Sequence, residues 1–378
     1  MFIETNTGNY HIKVLSSHEL TNDNIQQWSA LEERAVEGNV YLSPYFILPS
    51  LKYLSPQART FIVFVEKNSD SIPKLCGVGV FECCRGTKKL PLPHLKAYCS
   101  PHSYLSGLLV DEQYMEPTLE AFFTFFSSLR KYSYGIEFKN RTASTRLAKQ
   151  FEITASRFGV SWIQYDRKQR SILVPHQLEE DYLERFLSSK MRKNIRRFQK
   201  LLSEKGTIDW HLLSGRQIGL DSIDRFLNLE HMGWKGTKGS SLLSNPKDEA
   251  FFREMITGFA QNGRAFITEL SVNNQVIAST SNLISSKMGY AFKIGWDTQF
   301  AQASPGILNE VEFIKRAAGS LPHLEYIDSG ADEGSFIDKL WHDRYDLVSG
   351  FYITKTLSRS ALATINCIRH MKRWIATK

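Results

Sequence analysis

Apolar residues along this chain alternate between short β-type runs and helical spacings. Residues 59–66 (RTFIVFVE) and 75–82 (LCGVGVFE) are apolar runs rich in β-branched and aromatic residues. The polar turn 68–71 (NSDS) separates them, which predicts a hairpin. Pro117 sits where a first helical turn tolerates proline, and residues 118–131 then place Phe122, Phe125, Phe126 and Leu129 toward a core, predicting a helix. A short strand at 135–138, a helix near 145–158 and strands at 160–165 and 171–174 continue an α/β half, which ends near Pro175 and His176.

The second half repeats this plan. After a helix over 179–187 comes the most charged element, 188–206, begun by a serine cap and ended by glycine. In it Met191, Ile195, Phe198 and Leu202 recur at helical spacing, while Lys190, Arg192, Lys193, Arg196, Arg197 and Lys200 follow without an intervening acid. Helices are expected near 222–229 and over 247–261, then strands at 264–270, 276–284 and 288–296, the first two joined by a tight turn at Asn273 and Asn274. Ser304, Pro305 and Gly306 open a helix running to Ala318, and a strand at 324–328 follows. The expected class is mixed α/β (α+β), each half a mostly antiparallel mixed sheet flanked by helices. The expected division is 1–175, 176–355 and a basic amphipathic helix over 356–378, with Leu357, Ala361, Ile365, Ile368 and Ile375 along one side.

Composition narrows the class. At 378 residues, 42% hydrophobic and 12% aromatic, the chain can bury two cores. It has no run of roughly 18 to 20 apolar residues such as spans a bilayer, and its N-terminus lacks a basic region followed by an apolar one, so a cytoplasmic location is expected. Five cysteines at uneven spacing fit reduced thiols. Cys83, Cys84, His94, Cys99 and His102 lack C-x-x-C spacing, so no metal site is expected. A net charge of +8 and a pI near 9.1 favour an anionic partner without choosing among them.

One ordered set of segments narrows it further. Residues 230–239 (EHMGWKGTKG), 290–297 (YAFKIGWD), 304–308 (SPGIL), 326–330 (YIDSG) and 340–341 (LW), preceded by the basic run 187–197 (LSSKMRKNIRR), resemble the C-terminal domain of FemAB-like acetyltransferases of cellulose and exopolysaccharide synthesis. These belong to the acyl-CoA N-acyltransferase (GNAT) superfamily. The resemblance implies two tandem GNAT-like folds, an acyl-CoA donor (acetyl-CoA or another acyl-CoA) held by the C-terminal one, and an acceptor entering a cleft. It implies that Ser304, Pro305, Gly306 and Ile307 hold the donor's pyrophosphate, with pantetheine along the strand containing Trp296. A helix start with unpaired N–H groups and positive dipole suits that role. The loop brings one glycine with Gln299 and Gln302, where superfamily members usually bring two glycines and a basic or glutamine side chain.

Acyl transfer from a thioester needs a base for the acceptor, a group polarising the carbonyl and an acid for the thiolate. Glu230 and His231 end a helix before a glycine-rich loop, and Glu230 fits the family pattern better as base; a carboxylate pairing with Lys235 or Arg225 is its bland alternative. Lys293, with Asp297 on the same strand face, offers carbonyl or phosphate stabilisation or else a plain ion pair. Asp328 ends the next strand and is placed to orient the acceptor. Arg192, Arg196, Trp234, Lys235, Lys339 and Trp341 complete the expected substrate contacts, Trp341 being equally a core residue. The acceptor expected is an amine or hydroxyl, on a sugar, a cell-envelope precursor, a lipid-linked group or a small metabolite, reached by direct attack. Two alternatives remain open. One is transfer from aminoacyl-tRNA in the FemAB manner, although no helical arm for tRNA is evident and nucleic acid is not the expected partner. The other is a non-catalytic module binding an anionic glycan or lipid, with the C-terminal helix docked on its own domain or on a membrane surface.

Overall fold

The computed structural model describes residues 5–353 apart from 57, 69–72, 130, 131 and 133. The amphipathic helix expected over 356–378, the turn at 68–71 in part, and Cys367 therefore lie outside the described residues. The described chain divides into two compact units, neither of them one continuous piece. The first holds residues up to 44, 58–168 and 346–353; the second holds 45–56 and 169–345. The division thus differs from sequential pieces meeting at 175 and 176, because two long strands begin in one unit and end in the other.

The first unit is built on β1 (Thr5–Thr7), β2 (Tyr10–Leu15), β3 (Thr60–Lys67), β4 (Lys74–Cys84), β5 (His94–Ala97) and, beside β4, the short β6 (Leu109–Val110). Next to β5 and parallel to it runs β7 (Ile136–Thr142), with Leu95 opposite Ile136. The helices in chain order are α1 (Asn22–Glu33), α2 (Pro44–Pro49), where the chain passes to the second unit, α3 (Met115–Ser128) and α4 (Arg146–Arg157). The β3–β4 hairpin is antiparallel as its sequence implies. Helix α3 turns Phe122, Phe125 and Phe126 into the core, where Phe126 meets Phe81 edge-on at 5.4 Å. Strand β8 (Ser161–Leu173) then leads away. Sequence reading makes this two strands with a break at Arg167 to Arg170. Alternating exposure lets the polar stretch stay extended, and Arg167 reaches Asp346 at 2.5 Å.

The second unit repeats the order of strand, helices, antiparallel strands, helix and parallel strand. Helices α5 (Tyr182–Phe186) and α6 (Ser189–Ser203) precede β9 (Ile208–Ser214), and α7 (Leu220–Met232), α8 (Trp234–Thr237) and α9 (Pro246–Gln261) precede a meander. The meander is β10 (Ala265–Val272), β11 (Gln275–Ser285) and β12 (Met288–Trp296). Asn273 and Asn274 turn its first corner with φ of 50° and 64°, the left-handed backbone a two-residue hairpin demands. Helix α10 (Pro305–Ser320) and β13 (Tyr326–Asp328) follow, giving the order β8-β13-β12-β11-β10-β9. The last strand, β14 (Asp343–Ile353), returns to the first unit and pairs with β7. No described helix is long and apolar enough to cross a membrane.

Candidate active site

Strand β12 organises the site. Its register against β11 slips at Phe292: Ser281 faces Lys293 while Asn282 faces Ala291, so Phe292 is the extra residue of a bulge. On its other side β12 pairs with β13 only from Met288 opposite Tyr326 to Tyr290 opposite Asp328. Past that point β12 continues to Trp296 with no strand on that side among the described residues, offering backbone groups to a ligand. Sequence reading misses the bulge, because an extra residue inside an apolar run leaves no trace in alternation.

Helix α10 begins beside this open stretch. Asp297 follows β12 and accepts from the Gln299 amide (2.9 Å) and Gln275 Nε2 (3.3 Å), capping the turn Thr298–Ala303. Its carboxylate therefore caps a turn, where sequence reading places it beside Lys293 as half of a charge pair. Ser304 adopts a left-handed φ of 45°, Pro305 occupies the first helical position, and the Ser304 carbonyl accepts from the amides of Ile307 and Leu308. A Cβ on Gly306 would stand 3.3 Å from Ile294 Cδ1 and 3.4 Å from Trp296 Cδ1, so this glycine lets the helix start lie against β12. The bare face is turned to the strand, a packing role that the expected unobstructed ligand approach does not include. Alongside, α6 packs through Ile195, Phe198 and Leu202 near the same turn, and Lys205 stands 5.6 Å from the Phe300 ring. Ser188 caps α6 by accepting from the Met191 amide. Arg196 is exposed; Arg192 is half-buried, and its Nε has no hydrogen-bond partner among the described residues.

The other face of β12 meets α7. A Cβ on Gly295 would fall 2.4 Å from the Glu230 backbone nitrogen, so only glycine allows helix and strand this close. Glu230 is 2% exposed; it accepts from Lys235 Nζ (3.0 Å) and from the Leu242 amide (2.9 Å). Lys235 also donates to the Ile294 carbonyl (3.2 Å), tying the loop to β12. The expected base is thus the clasp of the loop from Gly233 to Ser241. Lys293 is half-buried; desolvation pushes its ammonium below the ordinary lysine range, against the opposing pull of Glu230 and Asp248. His231 is exposed and lies 2.7 Å from Ser241 Oγ through Nδ1. The side chain of Trp234 lies outside what the structure describes.

Two expected acceptor contacts are structural. Asp328 is fully buried and is taken up by Arg170 (3.2 Å), the Tyr345 hydroxyl (2.6 Å) and the Gly330 amide (2.7 Å). Burial, then the neighbouring Asp328 charge, holds the Tyr345 phenol well above its usual range. Trp341 is 1% exposed and packs on Phe313, so it belongs to the core instead of covering an acceptor. Lys339 is exposed at the end of the turn Phe336–Lys339.

A buried polar network also escapes sequence reading. Asn309 Nδ2 donates to Thr268 (3.0 Å) and Thr280 (3.1 Å), Trp210 donates to Asn309 Oδ1 (2.9 Å), and Thr280 donates to Glu310 (3.0 Å). Burial pushes the Glu310 carboxyl up to about 7, the Thr280 hydrogen bond opposing it. Helical spacing alone gives Asn309 and Glu310 no distinction from surface polar residues. Among the described residues no group of three or more metal-ligating side chains is gathered.

Comparison with known proteins names this arrangement. Residues 189–336, all within the second unit, match the model of the Acetyltransf_6 family, an acetyltransferase (GNAT) domain. No curated protein sequence matches the chain. Among solved structures the chain is similar to FemX, at 12% identity and a TM-score of 0.56 over 93% of this chain and 100% of that one. It is also similar to the C-terminal domain of a putative lysylphosphatidylglycerol synthetase from Agrobacterium fabrum, at 10% identity and a TM-score of 0.55 over 93% and 97% of the two chains. A conserved protein of unknown function from Bacteroides thetaiotaomicron gives 13%, 0.53, 88% and 98%. Residues 189–336 thus match an acetyltransferase (GNAT) domain, and the fold of the chain is similar to that of FemX.

Proposed function

We propose that this chain transfers an acetyl or other acyl group from acyl-CoA to an amine or hydroxyl by direct attack. The observation that carries the reading is the parting of β12 from β13 beside the start of α10, inside a GNAT-type domain. In this reading the donor's pantetheine lies along the free edge of β12 from Ala291 to Trp296, where extended backbone supplies alternating donors and acceptors. The first turn of α10, with Ser304, Pro305, Gly306 and Ile307, faces the pyrophosphate with its dipole. Cations of α6, Arg192 and Arg196 among them, make up for the missing second glycine and basic loop residue.

The acceptor is proposed to enter on the α7 face, under the loop from Gly233 to Ser241. In this reading Lys293, on the bulged stretch of β12, steadies the oxyanion that forms as the thioester is attacked. A sugar, an exopolysaccharide or cell-envelope precursor, or a small metabolite are the acceptor classes proposed. Titration calorimetry with acetyl-CoA tests the donor: binding in the micromolar range is expected, and no heat with any acyl-CoA would sink the reading.

The putative lysylphosphatidylglycerol synthetase neighbour favours a second reading, aminoacyl transfer to an acceptor at a lipid surface. The cationic face of α6 suits an RNA backbone as well as a CoA phosphate. Purification under low salt followed by RNA analysis separates the two, since retained aminoacyl-tRNA together with silence toward acyl-CoA would favour the second.

A further inference from the structure

Glu230 is committed to Lys235 and Leu242, yet the residue after it has a free edge. His231 sits in the last turn of α7, and its Nδ1 lies 2.7 Å from Ser241 Oγ. Ser241 Oγ lies in turn 2.7 Å from Ser244 Oγ, making a short relay of hydroxyls behind the ring. The imidazole is exposed, whereas Ser241 is 2% exposed. Nε2 makes no hydrogen bond to the described residues. Loop and helix end are held close, because a Cβ on Gly236 would stand 1.9 Å from the His231 carbonyl oxygen.

A hydrogen-bonded His–Ser pair allows two chemistries. The serine hydroxyl gives its proton to the ring and becomes a nucleophile, or the ring donates Nδ1–H to the serine and keeps a lone pair on Nε2. Access decides between them here: the hydroxyl is the buried partner and cannot reach a ligand's carbonyl, while the outer edge of the ring is open. We propose that His231 is the general base of the transfer, with Ser241 and Ser244 as positioning residues that hold the Nδ1–H tautomer. The inference rests on the acyl-CoA reading given above.

In the step, the acceptor nitrogen (or oxygen) forms its bond to the thioester carbon and releases its proton to Nε2. The carbon–sulfur bond breaks with its electron pair on sulfur, and the thiolate takes a proton from solvent or from the ring, which regenerates the base. The ring's transient charge falls at the C-terminal end of α7, where the helix carbonyls favour a cation. The charged groups brought by the elements packed on α7 are Lys235 of α8, which pairs with Glu230 of α7 itself, and Lys293 of β12, on which Glu230 and Asp248 of α9 act. Strand β11 and the turn Leu242–Ser244, also packed on α7, bring none.

His231→Asn separates the roles, since its side-chain amide can still meet Ser241 while the Nε2 position is gone. With glucosamine as the amine probe, CoA release from acetyl-CoA is followed against pH, and acetyl-CoA affinity is measured by calorimetry. His231→Asn is expected to lower kcat by about 10²- to 10⁴-fold and to abolish the ascending limb of the pH profile, with the acetyl-CoA Kd unchanged. Ser241→Ala is expected to lower kcat less and to move that limb. A His231→Asn protein that keeps kcat within threefold and keeps the limb would overturn the proposal, as would nitrogen-resolved NMR of the wild type showing the proton on Nε2. Failure of the wild type to bind acetyl-CoA overturns the donor reading itself, a separate result.

Discussion

Glu310 carries a charge cost that depends on pH. Its folded pKa, about 7, stands above the 4.5 of an exposed glutamate, chiefly because burial disfavours the carboxylate. The folded protein therefore binds a proton that the unfolded chain has released, and stability falls as pH rises from about 4.5 to about 7, the full cost persisting above. Glu310→Gln is expected to raise stability by on the order of 2–3 kcal/mol at pH 8 and hardly at all near pH 4, as thermal unfolding at both pH values would show. Asp328 acts in the opposite sense. Removing its charge strands the buried Arg170 guanidinium, so Asp328→Asn should cost roughly 3–5 kcal/mol in denaturant unfolding. Sequence proposes both Glu230 and Asp328 for chemistry because acids at element ends are good candidates, and its alternative for Glu230, a pair with Lys235, is the contact the structure shows; what it does not carry is that the Leu242 amide, Arg170 and Tyr345 also converge on these two acids. The order of chemical segments and the Glu230–Lys235 pair were legible, and the commitment of Asp328 was not.

Among elements, most of the second half's helices and the hairpins were readable, whereas β2, β5, β9 and β14 were missed, as was α1 despite the capping box at Thr21. The serine cap of α6 and the paired asparagines between β10 and β11 act on their own neighbours, so sequence proximity reports them. Strand β14 depends on pairing with β7, whose residues lie far back in the chain, and sequence alone gave no hint of it. The contact between α7 and β12 hangs on one missing methyl group. Gly295→Ala should force helix and strand apart and cost about 1–3 kcal/mol or more. Weakened acetyl-CoA binding alongside the lowered Tm is the expected companion; a variant with wild-type Tm would show that the contact is slack.

For the whole molecule, the two-unit expectation stood on length and on the repeated order of elements, while the crossing of segments had no signal in composition. Residues 45–56 belong to the second unit, where Phe46 is fully buried against Phe251 (5.3 Å) and Phe292 (6.1 Å), the bulge residue of β12. Phe46→Ala is expected to cost about 3–5 kcal/mol and to loosen the bulge as well. Chemical denaturation with acetyl-CoA titration on the same variant would check both, and a stable protein with unaltered affinity would contradict it.

The return of β14 has a consequence for how the protein is born. Tyr352 packs among Phe138, Phe151 and Trp162 in the first unit, so a core begun by the earliest residues lacks a wall until the last described strand is made. At about 5–20 residues per second, a ribosome keeps that wall missing for on the order of 10–40 s after Phe151 is added. During this interval the later-encoded unit has every one of its own segments in hand first, so the order of maturation in the cell runs opposite to the order of synthesis.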